Sequence, residues 1–433
     1  MMISENNVKS ILFLGGSAAM CDAVEHAQAL GYRTIVVDYY IDSPAKRIAD
    51  KQYLASTTDI DALMEIAIQE GINGVFTGFA DVNLLPARIL ADKLSLPFYA
   101  NKHQIEITTN KLLFKQVCRD FDIPTVPEFY IDDKLSKDDL SLINYPVIVK
   151  PADSYSSKGV SVCVNRAELL KAVPFALEYS RVKRVIVEQY LVGYPDVCMY
   201  FNIQNGVLSL AAMCERDMNY VKVGKAMQPN ALFYPCRYIP LYYEQLEDKL
   251  KRMIQRLDMR QGLMFIQCFV VDGVLMPFEM GYRLCGAQEY ILCAAENGIN
   301  SLDMLLDYSV TGRFEGWDVA LFNKPMFKHT YAILLVLLKP GCIARIDGMD
   351  SILNMPEVLK VVQFYNTGDE VKSDSVGTLN QTLARIFVQG KDSHQLLQLI
   401  EIIQNHLKVI SDKGDDMILP GYDCGKANVL RDM

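Results

Sequence analysis

Short apolar strands alternate with helical segments over the first hundred residues, and this alternation constrains the fold more than any other feature. The strands are residues 10–14, 34–40 and 74–79, and the helical segments are residues 17–30, 59–70 and 81–94. Consecutive parallel strands need a crossover connection, which is usually helical and right-handed. We therefore expect residues 1–105 to form an α/β domain with a doubly wound parallel sheet.

The pattern changes beyond residue 110, where alternating strands are joined by tight turns. Asn205-Gly206 and Asp272-Gly273 each separate two such strands, and both dipeptides are typical of two-residue hairpin turns. Residues 106–320 are therefore predicted to be α+β with antiparallel strands, with a loop over 215–235 and an amphipathic helix over 241–257.

The last block, residues 321–433, mixes apolar strands with a helix. The strands are YAILLVLL and RIFVQG, and the helix runs from His394 to Leu407. We expect a small C-terminal α+β extension.

Composition excludes several classes of protein. The chain has 433 residues and a formal net charge of -9, with no stretch that concentrates lysine and arginine, which argues against a nucleic-acid partner. Its 11 cysteines form no CxxC pair and there are five histidines, so a zinc framework is not expected. No apolar run approaches membrane-spanning length and the N-terminus has no signal-peptide pattern. Scattered cysteines are typical of reduced thiols, and we expect a cytoplasmic protein without a membrane partner.

A lysine stands at each end of an unusual loop in VIVKPADSYSSKGVSV, residues 147–162. Lys150 ends an apolar strand, and Lys158-Gly159 precedes the next strand. Small residues let backbone N–H groups approach a polyphosphate, and lysines balance its charge. The loop therefore predicts a phosphate site, with Lys111 upstream as a further cation; a surface hairpin with solvated lysines is the alternative.

A second candidate site lies on the hairpin that turns at Asp272-Gly273. Gln267 and Glu279 stand on its two strands among large apolar residues, where an acid must be neutral, paired or metal-bound. Two oxygen ligands suit Mg²⁺, and Arg283 could hold an anionic group. A structural ion pair between Glu279 and Arg283 is the alternative.

The segment VIVEQYL ends a third strand at Glu188, Gln189, Tyr190 and Leu191. A strand end of this kind can present backbone N–H and C=O groups to an adenine edge, although an ordinary strand terminus has the same appearance.

In this order, these residues resemble the ATP-grasp superfamily over residues 1 to about 315. The similarity is strongest to biotin carboxylase, the synthetase domains of carbamoyl phosphate synthetase and the stand-alone carboxylate–amine ligases. The resemblance implies an N-terminal pre-ATP-grasp domain and a two-subdomain ATP-grasp domain with a lid near residues 152–160.

The resemblance also implies a role for each site residue. Lys111 and Lys150 would bind the α- and β-phosphates of ATP, Glu188 and Leu191 would meet the adenine, and Asp196 would contact the ribose. The other residues are Ser156, Ser157, Lys158 and Gly159 in the lid, Gln189 and Tyr190 at the adenine, Gln267 and Glu279 as ligands of Mg²⁺ or Mn²⁺, and Arg283 at an acyl-phosphate intermediate.

Two positions depart from the pattern of the superfamily. The metal strand usually reads Glu-x-Asn, but here it reads Glu279-Met280-Gly281, so a third metal ligand is missing. Ser156 stands in the lid where glycine is common. The first departure puts the second metal, and therefore catalysis, in question.

The resulting prediction is an ATP-grasp ligase that activates a carboxylate as an acyl phosphate for attack by an amine or another nucleophile. Its partners would be small molecules, and a homodimer is a possible assembly. Arg216, Lys222 and Lys225 would suit an anionic substrate or belong to a solvated loop. Cys285, beside Arg283, is the one cysteine near the expected site, and we read it as a core residue.

Two alternatives remain from the sequence. A non-catalytic ATP sensor of the same fold would explain the missing asparagine. A dinucleotide-dependent oxidoreductase would explain Gly15-Gly16 after a strand and Asp38 about 22 residues beyond, although the glycine spacing of that fingerprint is absent.

Overall fold

The computed structural model describes residues 8–131, 140–154, 158–219, 228–314 and 316–426, with the side chain of residue 219 left out. Within these ranges the strands form four sheets. No helix in these ranges is long and apolar enough to cross a membrane.

The N-terminal sheet is parallel, as predicted. Its strands are β1 Ser10–Leu14, β2 Arg33–Asp38, β3 Lys51–Leu54 and β4 Gly74–Phe76, in the order β3-β2-β1-β4. The helices that flank it are α1 Ala18–Ala29, α2 Ile60–Glu70 and α3 Leu84–Leu94. Strand β3 was not predicted, because this edge strand is mostly exposed and lacks an apolar run.

A second four-stranded sheet, which we call the small sheet, follows two helices. These helices are α4 Lys102–Thr109 and α5 Lys111–Asp120. The strands of the small sheet are antiparallel, in the order β5-β8-β6-β7, with the bounds β5 Glu128–Phe129, β6 Val147–Pro151, β7 Ser161–Cys163 and β8 Val185–Gln189. Helix α6, Arg166–Glu178, packs on it around buried Leu169 and Ala176. The lysine-flanked loop joins β6 to β7.

The largest sheet has eight antiparallel strands in the order β13-β12-β9-β10-β11-β14-β18-β16. The bounds of these strands are β9 Asp196–Gln204, β10 Val207–Asn219, β11 Gln228–Tyr234, β12 Gly262–Val271, β13 Val274–Gly281, β14 Thr330–Leu337, β16 Val358–Gln363 and β18 Thr382–Gly390. Both predicted hairpins are confirmed. The φ angles are positive at Asn205 and Gly206 and at Asp272 and Gly273, as two-residue hairpin turns require.

The loop predicted over 215–235 is wrong at both ends. Strand β10 continues to Asn219, and Gln228–Tyr234 form β11, a strand buried along its whole length. Polar residues interrupt the apolar pattern of both strands, and two of them, Arg216 and Gln228, line the cavity described below. Lys222 and Lys225 lie outside the described residues.

The C-terminal residues extend this sheet. Strands β14, β18 and β16 pair with it directly, so the boundary that we expected at residue 320 crosses one continuous sheet. Helix α13, Ser393–His406, covers β14 and β18, as the sequence predicted. A three-stranded sheet completes this region, with the order β17-β15-β19 and the bounds β15 Gly341–Asp347, β17 Glu370–Val371 and β19 Lys408–Ser411.

The remaining helices tie the sheets together. They are α7 Ile239–Gln245, α8 Glu247–Arg256, α9 Tyr290–Asn297, α10 Ser301–Thr311, α11 Val319–Phe322 and α12 Met349–Leu353. The predicted helix over 241–257 is interrupted at Leu246. Leu302 and Leu306 of α10 share a hydrophobic core with Phe13 and Val36. Residues far along the chain therefore complete the core beside the N-terminal sheet.

Candidate functional site

A cavity of about 420 Å³ lies where the small sheet, the eight-stranded sheet and the segment after β4 meet. It brings together residues that the sequence placed far apart. The predicted site residues that line it are Lys111, Lys150, Lys158, Glu188, Gln189, Tyr190, Leu191, Asp196, Gln267, Glu279 and Arg283. Ser156 and Ser157 lie outside the described residues.

Gly159, in the lysine-flanked loop between β6 and β7, packs against the small sheet. Its φ is +74°, and a Cβ there would lie 2.8 Å from Pro151 Cγ and 2.9 Å from Tyr179 Cβ. Both the backbone conformation and the contact therefore require glycine. On the cavity side, the hydroxyl of Ser154 donates to the carbonyl oxygen of Lys158 at 3.0 Å, which closes the base of the loop.

Lys150 is held at the cavity wall by Glu188, which stands on the neighbouring strand β8. The Glu188 carboxylate is 2% exposed and pairs with Lys150 through one oxygen and with Lys115 Nζ, at 2.6 Å, through the other. Burial raises the pKa of Glu188, but the two lysines oppose it and the net pKa lies below its ordinary value. The ammonium of Lys150 also lies 5.7 Å from the ring centre of Phe278.

Lys111 lies between the loop and the candidate metal strand. Asn110 caps helix α5, and the Lys111 backbone N–H donates to Ala152 at 2.9 Å. The Lys111 ammonium donates to the carbonyl oxygen of Ser154 at 2.8 Å and lies 3.6 Å from a carboxylate oxygen of Glu279. This lysine therefore connects the loop to Glu279.

The segment predicted to meet the adenine lines the cavity, but several of its polar groups are already used. The Glu188 carboxylate holds two lysines, as described above. The backbone N–H groups of Gln189 and Tyr190 donate to Pro127 and Pro146 at 2.9 and 3.0 Å. These two amides are therefore not donors for a base, and the adenine contact of Leu191 stays a prediction.

Asp196 is paired within the protein. Arg216 donates to both of its carboxylate oxygens, at 2.8 and 2.7 Å, across strands β9 and β10. Burial raises the pKa of Asp196, and Arg216 opposes part of that rise. Arg216 is thus a buried ion-pair residue on a strand rather than a loop residue, and the ribose contact predicted for Asp196 stays a prediction.

Gln267 and Glu279 stand on the two strands of the hairpin β12–β13, as the sequence predicted, and a bulge between Gln267 and Cys268 makes them a direct pair. The side chain of Glu279 is 34% exposed toward the cavity, so it is less buried than its apolar neighbours suggested. These two side chains offer a carboxylate and an amide oxygen, which are suitable Mg²⁺ ligands. The described residues contain no cluster of three or more His, Cys, Asp or Glu side chains placed to hold a metal.

The structure explains why the metal strand has glycine at residue 281. A Cβ on Gly281 would lie 2.3 Å from Phe265 Cε1, on the paired strand β12. The phenyl ring therefore occupies the space that an asparagine side chain would need.

Arg283 does not pair with Glu279, so the alternative of a structural ion pair between them is wrong. Its guanidinium instead donates to both carboxylate oxygens of Asp81, at 2.6 and 2.7 Å. It also lies 5.0 Å from the ring centre of Phe265. Asp81 follows β4, so the N-terminal domain positions this arginine.

Cys285 lines the cavity beside Arg283. A hydrogen bond from Cys198 is the largest influence on it and, with Arg283 and Arg385 nearby, it lowers the pKa of Cys285 to about 7 despite burial. All 11 cysteines of the chain are free thiols. The interpretation of Cys285 as a plain core residue is therefore incomplete.

Sequence reasoning missed four residues of this site: Asp81, Lys115, Gln288 and Arg385. Lys115 was detectable, because it lies four residues after Lys111 on the same helix. Arg385 interrupts the apolar run TLARIFV, which was also a signal.

The carboxylate of Asp38, the basis of the dinucleotide alternative, accepts from the backbone N–H of Gly16 at 2.6 Å and of Tyr40 at 2.9 Å.

The chain is similar to several known proteins. Residues 119–217 match the family model described as D-ala D-ala ligase C-terminus. Formate-dependent phosphoribosylglycinamide formyltransferase from Sulfurisphaera tokodaii is 29% identical over 191 residues, and that from Methanocaldococcus jannaschii is 30% identical over 184 residues. Each alignment covers 42% of this chain and 47% of the relative, so the match spans about half the length of these curated relatives.

Solved structures match over nearly the whole chain. An L-amino acid ligase from Bacillus licheniformis has a TM-score of 0.75 at 18% identity, covering 93% of this chain and 99% of that one. The biotin carboxylase domain of the Hydrogenobacter thermophilus 2-oxoglutarate carboxylase, in complex with MgADP, also has a TM-score of 0.75, at 14% identity and with 94% and 91% covered. At these identities the likeness establishes the fold, which is that of the ATP-grasp enzymes.

Proposed function

We propose that this chain, which has the ATP-grasp fold, is an ATP-dependent ligase that activates a carboxylate as an acyl phosphate. A nucleophile, most simply an amine, then attacks the activated carbonyl. The observation that carries the proposal is the convergence of Lys111, Lys150, Glu279 and Arg283, from three separate parts of the fold, on one cavity. The names of the relatives, which include an L-amino acid ligase and a formate-dependent enzyme, support a carboxylate substrate.

The two lysines account for binding of the polyphosphate. Lys150 is fixed by Glu188 and Lys111 by Ser154, so both ammonium groups are positioned before a ligand arrives. Preorganised cations stabilise negative charge without a reorganisation cost. The loop that ends at Lys158 and Gly159 would close over the phosphates, as lid loops do.

The candidate metal ligands fit one Mg²⁺. Glu279 is partly exposed to the cavity, and Gln267 faces it on the paired strand. Mg²⁺ usually keeps several waters and shares phosphate oxygens, so two protein ligands suffice for one ion. When bound, Mg²⁺ would neutralise charge on the phosphates; Mn²⁺ would serve in the same position.

In the reaction, a substrate carboxylate oxygen attacks the γ-phosphorus of ATP, and the bond to the bridging oxygen of ADP breaks. Lys111, Lys150 and Arg283 offset the developing negative charge. An amine then attacks the acyl carbon and loses a proton, and inorganic phosphate leaves. No side-chain nucleophile is needed.

The test is an isotope-transfer screen with ATP, Mg²⁺ and ¹⁸O-labelled carboxylates against amines, with formate and L-amino acids among the carboxylates. Acyl-phosphate chemistry moves one ¹⁸O from the carboxylate into inorganic phosphate. ADP release that needs the carboxylate, with this transfer, supports the proposal. Release of ADP without any carboxylate, or turnover without ¹⁸O in the phosphate, contradicts it.

A non-catalytic nucleotide sensor is the second candidate, and the contact between Gly281 and Phe265 favours it because it excludes a third ligand. The sensor would bind Mg-ATP and show no turnover throughout the screen.

We also propose that the protein is a homodimer and that it is cytoplasmic. Size-exclusion chromatography with light scattering would detect the homodimer.

A further inference from the structure

Arg385 lies in the middle of strand β18, and the whole residue is only 8% exposed. Its backbone pairs with Leu335 of β14 on one side and with Val362 of β16 on the other. Its side chain lines the same cavity as the predicted nucleotide residues. The C-terminal region of the chain therefore contributes a cation to this cavity.

The guanidinium of Arg385 has few partners within the protein. Nη1 donates to Gln288 Oε1 at 3.2 Å, and the group lies 5.0 Å from the ring centre of Phe364. In the described part of the chain no carboxylate pairs with it. Burial lowers the pKa of Arg385, and the neighbouring Cys285, Tyr290 and Tyr200 offset only part of that fall.

The other two arginines of the cavity differ in this respect. Arg216 forms two hydrogen bonds to Asp196, and Arg283 forms two to Asp81. Each of those two arginines therefore has a carboxylate partner in the protein before any ligand binds. A buried cation without an acid is costly, and such a cost is maintained where a ligand supplies the missing anion.

Arg385 and strand β13 contribute to the same cavity from distant parts of the sheet. Strand β18 and the metal strand β13 are separated in the sheet by five strands, β12, β9, β10, β11 and β14, yet both contribute to one cavity. Arg283, Cys285 and Arg385 all line this cavity.

We propose that Arg385 binds an anionic group, a carboxylate or a phosphate, of the molecule that reacts at this site. The inference rests on the proposed function and adds the class of substrate: a molecule that carries an anion besides the group that reacts. Gln288 orients the guanidinium, because its amide oxygen accepts from Nη1 while its own N–H donates to Tyr290 at 3.1 Å. Ile333, Leu335 and Leu379 beside it present apolar surface to the rest of the ligand.

The test uses the full-length protein saturated with Mg²⁺ and AMPPNP, so that the triphosphate site is filled. Inorganic phosphate and acetate are titrated separately, and binding is read from the shift in melting temperature. We expect one anion or both to stabilise the wild type, and the better one identifies the chemistry. Arg385→Met should weaken this binding about tenfold or more, and Arg385→Lys should weaken it less.

The matched control is Arg345→Met. Arg345 lies on β15 in the same region, but it is exposed and pairs with Asp347 at 2.6 Å. This variant should bind both anions as the wild type does. Without ligands, Arg385→Met should melt at the same temperature as the wild type or higher, because it removes an uncompensated buried charge; a purely structural arginine predicts a lower melting temperature.

Several outcomes would overturn the inference. They are a wild type that binds neither anion, or an Arg385→Met variant that binds them unchanged. If Arg385→Met does not fold, unchanged binding by Arg385→Lys has the same force. Failure of the proposed function is a separate result: there AMPPNP with Mg²⁺ does not stabilise the wild type, and the same titrations without nucleotide still test Arg385.

Discussion

Arg283 and Asp81 form a two-point ion pair between residues 202 positions apart in the sequence, with N–O distances of 2.6 and 2.7 Å. The pair joins the segment after the metal strand to the N-terminal domain. Burial lowers the pKa of Arg283, but Asp81 more than offsets it, so the net pKa is raised and the arginine remains charged. The N-terminal domain therefore contributes to the candidate site.

Asp81→Ala should destabilise the protein, because it leaves the guanidinium of Arg283 without its acid. We expect a loss of about 3 kcal/mol in the free energy of unfolding, measured by urea titration. The matched control is Asp42→Ala, which removes an exposed pair with Arg47 and should leave the urea midpoint unchanged. Equal effects of the two substitutions would contradict this assignment.

The sequence could place Gln267 and Glu279 on the two strands of one hairpin, because the Asp272-Gly273 turn marks it. It could not predict their direct pairing, because the register set by the turn would pair Gln267 with Phe278 and a bulge between Gln267 and Cys268 shifts it by one residue. It could also predict the parallel sheet, because strands and helices alternate. Asp81 and Arg385 were beyond its reach as partners of this site. Their contacts depend on which distant segments the fold brings to the cavity, and local patterns carry no information about that.

The apolar neighbours of Glu279 in sequence were misleading for a related reason. A bulge between Gln267 and Cys268 interrupts the regular pairing of this hairpin, and Phe278 and Glu279 both line the cavity. Apolar neighbours therefore say little about the exposure of Glu279. In the structure Glu279 faces the cavity and is near Lys111. Burial could be read from the sequence for the strand as a whole, but not for this carboxylate.

Lys150→Met should lower both nucleotide affinity and stability. Lys150 is one of two cations that neutralise buried Glu188. Because Lys115 remains, we expect a loss of roughly 1–3 kcal/mol in the free energy of unfolding. Lys158→Met, at an exposed position in the same cavity, should weaken nucleotide binding with little change in stability.

A double-mutant cycle with Glu188→Gln separates the two effects of Lys150. The stability lost in Lys150→Met should be partly recovered in the double variant, since the amide needs no cation. Nucleotide affinity should not recover. If the loss of unfolding free energy in the double variant equals the sum of the losses in the two single variants, the two side chains do not interact in solution.

Stability should depend on the protonation of Glu188 in the acidic range. Its pKa in the folded protein is lowered from the ordinary value of 4.5 by Lys150 and Lys115, against the effect of burial. A lowered pKa contributes stability that is present above about pH 4.5 and lost as the pH falls through the folded-state pKa. The difference in unfolding free energy between wild type and Glu188→Gln should therefore shrink from pH 6 to pH 3; a constant difference would contradict the pairing.

Glu279→Gln should abolish turnover and cost little stability. The carboxylate is partly exposed and has Lys111, not Arg283, as its nearest cation, so its removal leaves no deeply buried charge unpaired. Melting curves with and without Mg-ATP measure both effects. The variant should melt near the wild-type temperature without ligand and lose the extra stabilisation that Mg²⁺ adds to ATP. A much lower melting temperature without ligand would make Glu279 structural.

Gly281→Asn should not restore a third metal ligand by itself, because the new Cβ would lie 2.3 Å from the ring of Phe265. Overpacking of this kind costs about 1–3 kcal/mol, so the single variant should unfold at lower urea concentration. The double variant Gly281→Asn with Phe265→Ala makes room for the amide. It should lose less unfolding free energy than the two single variants lose together. It should also show a stronger Mg²⁺ dependence of ATP binding than the wild type. Phe265→Ala alone is the control, since it opens the space without adding a ligand. If the control and the double variant have the same Mg²⁺ dependence, an oxygen at residue 281 does not reach the metal, and the missing asparagine does not explain any loss of catalysis.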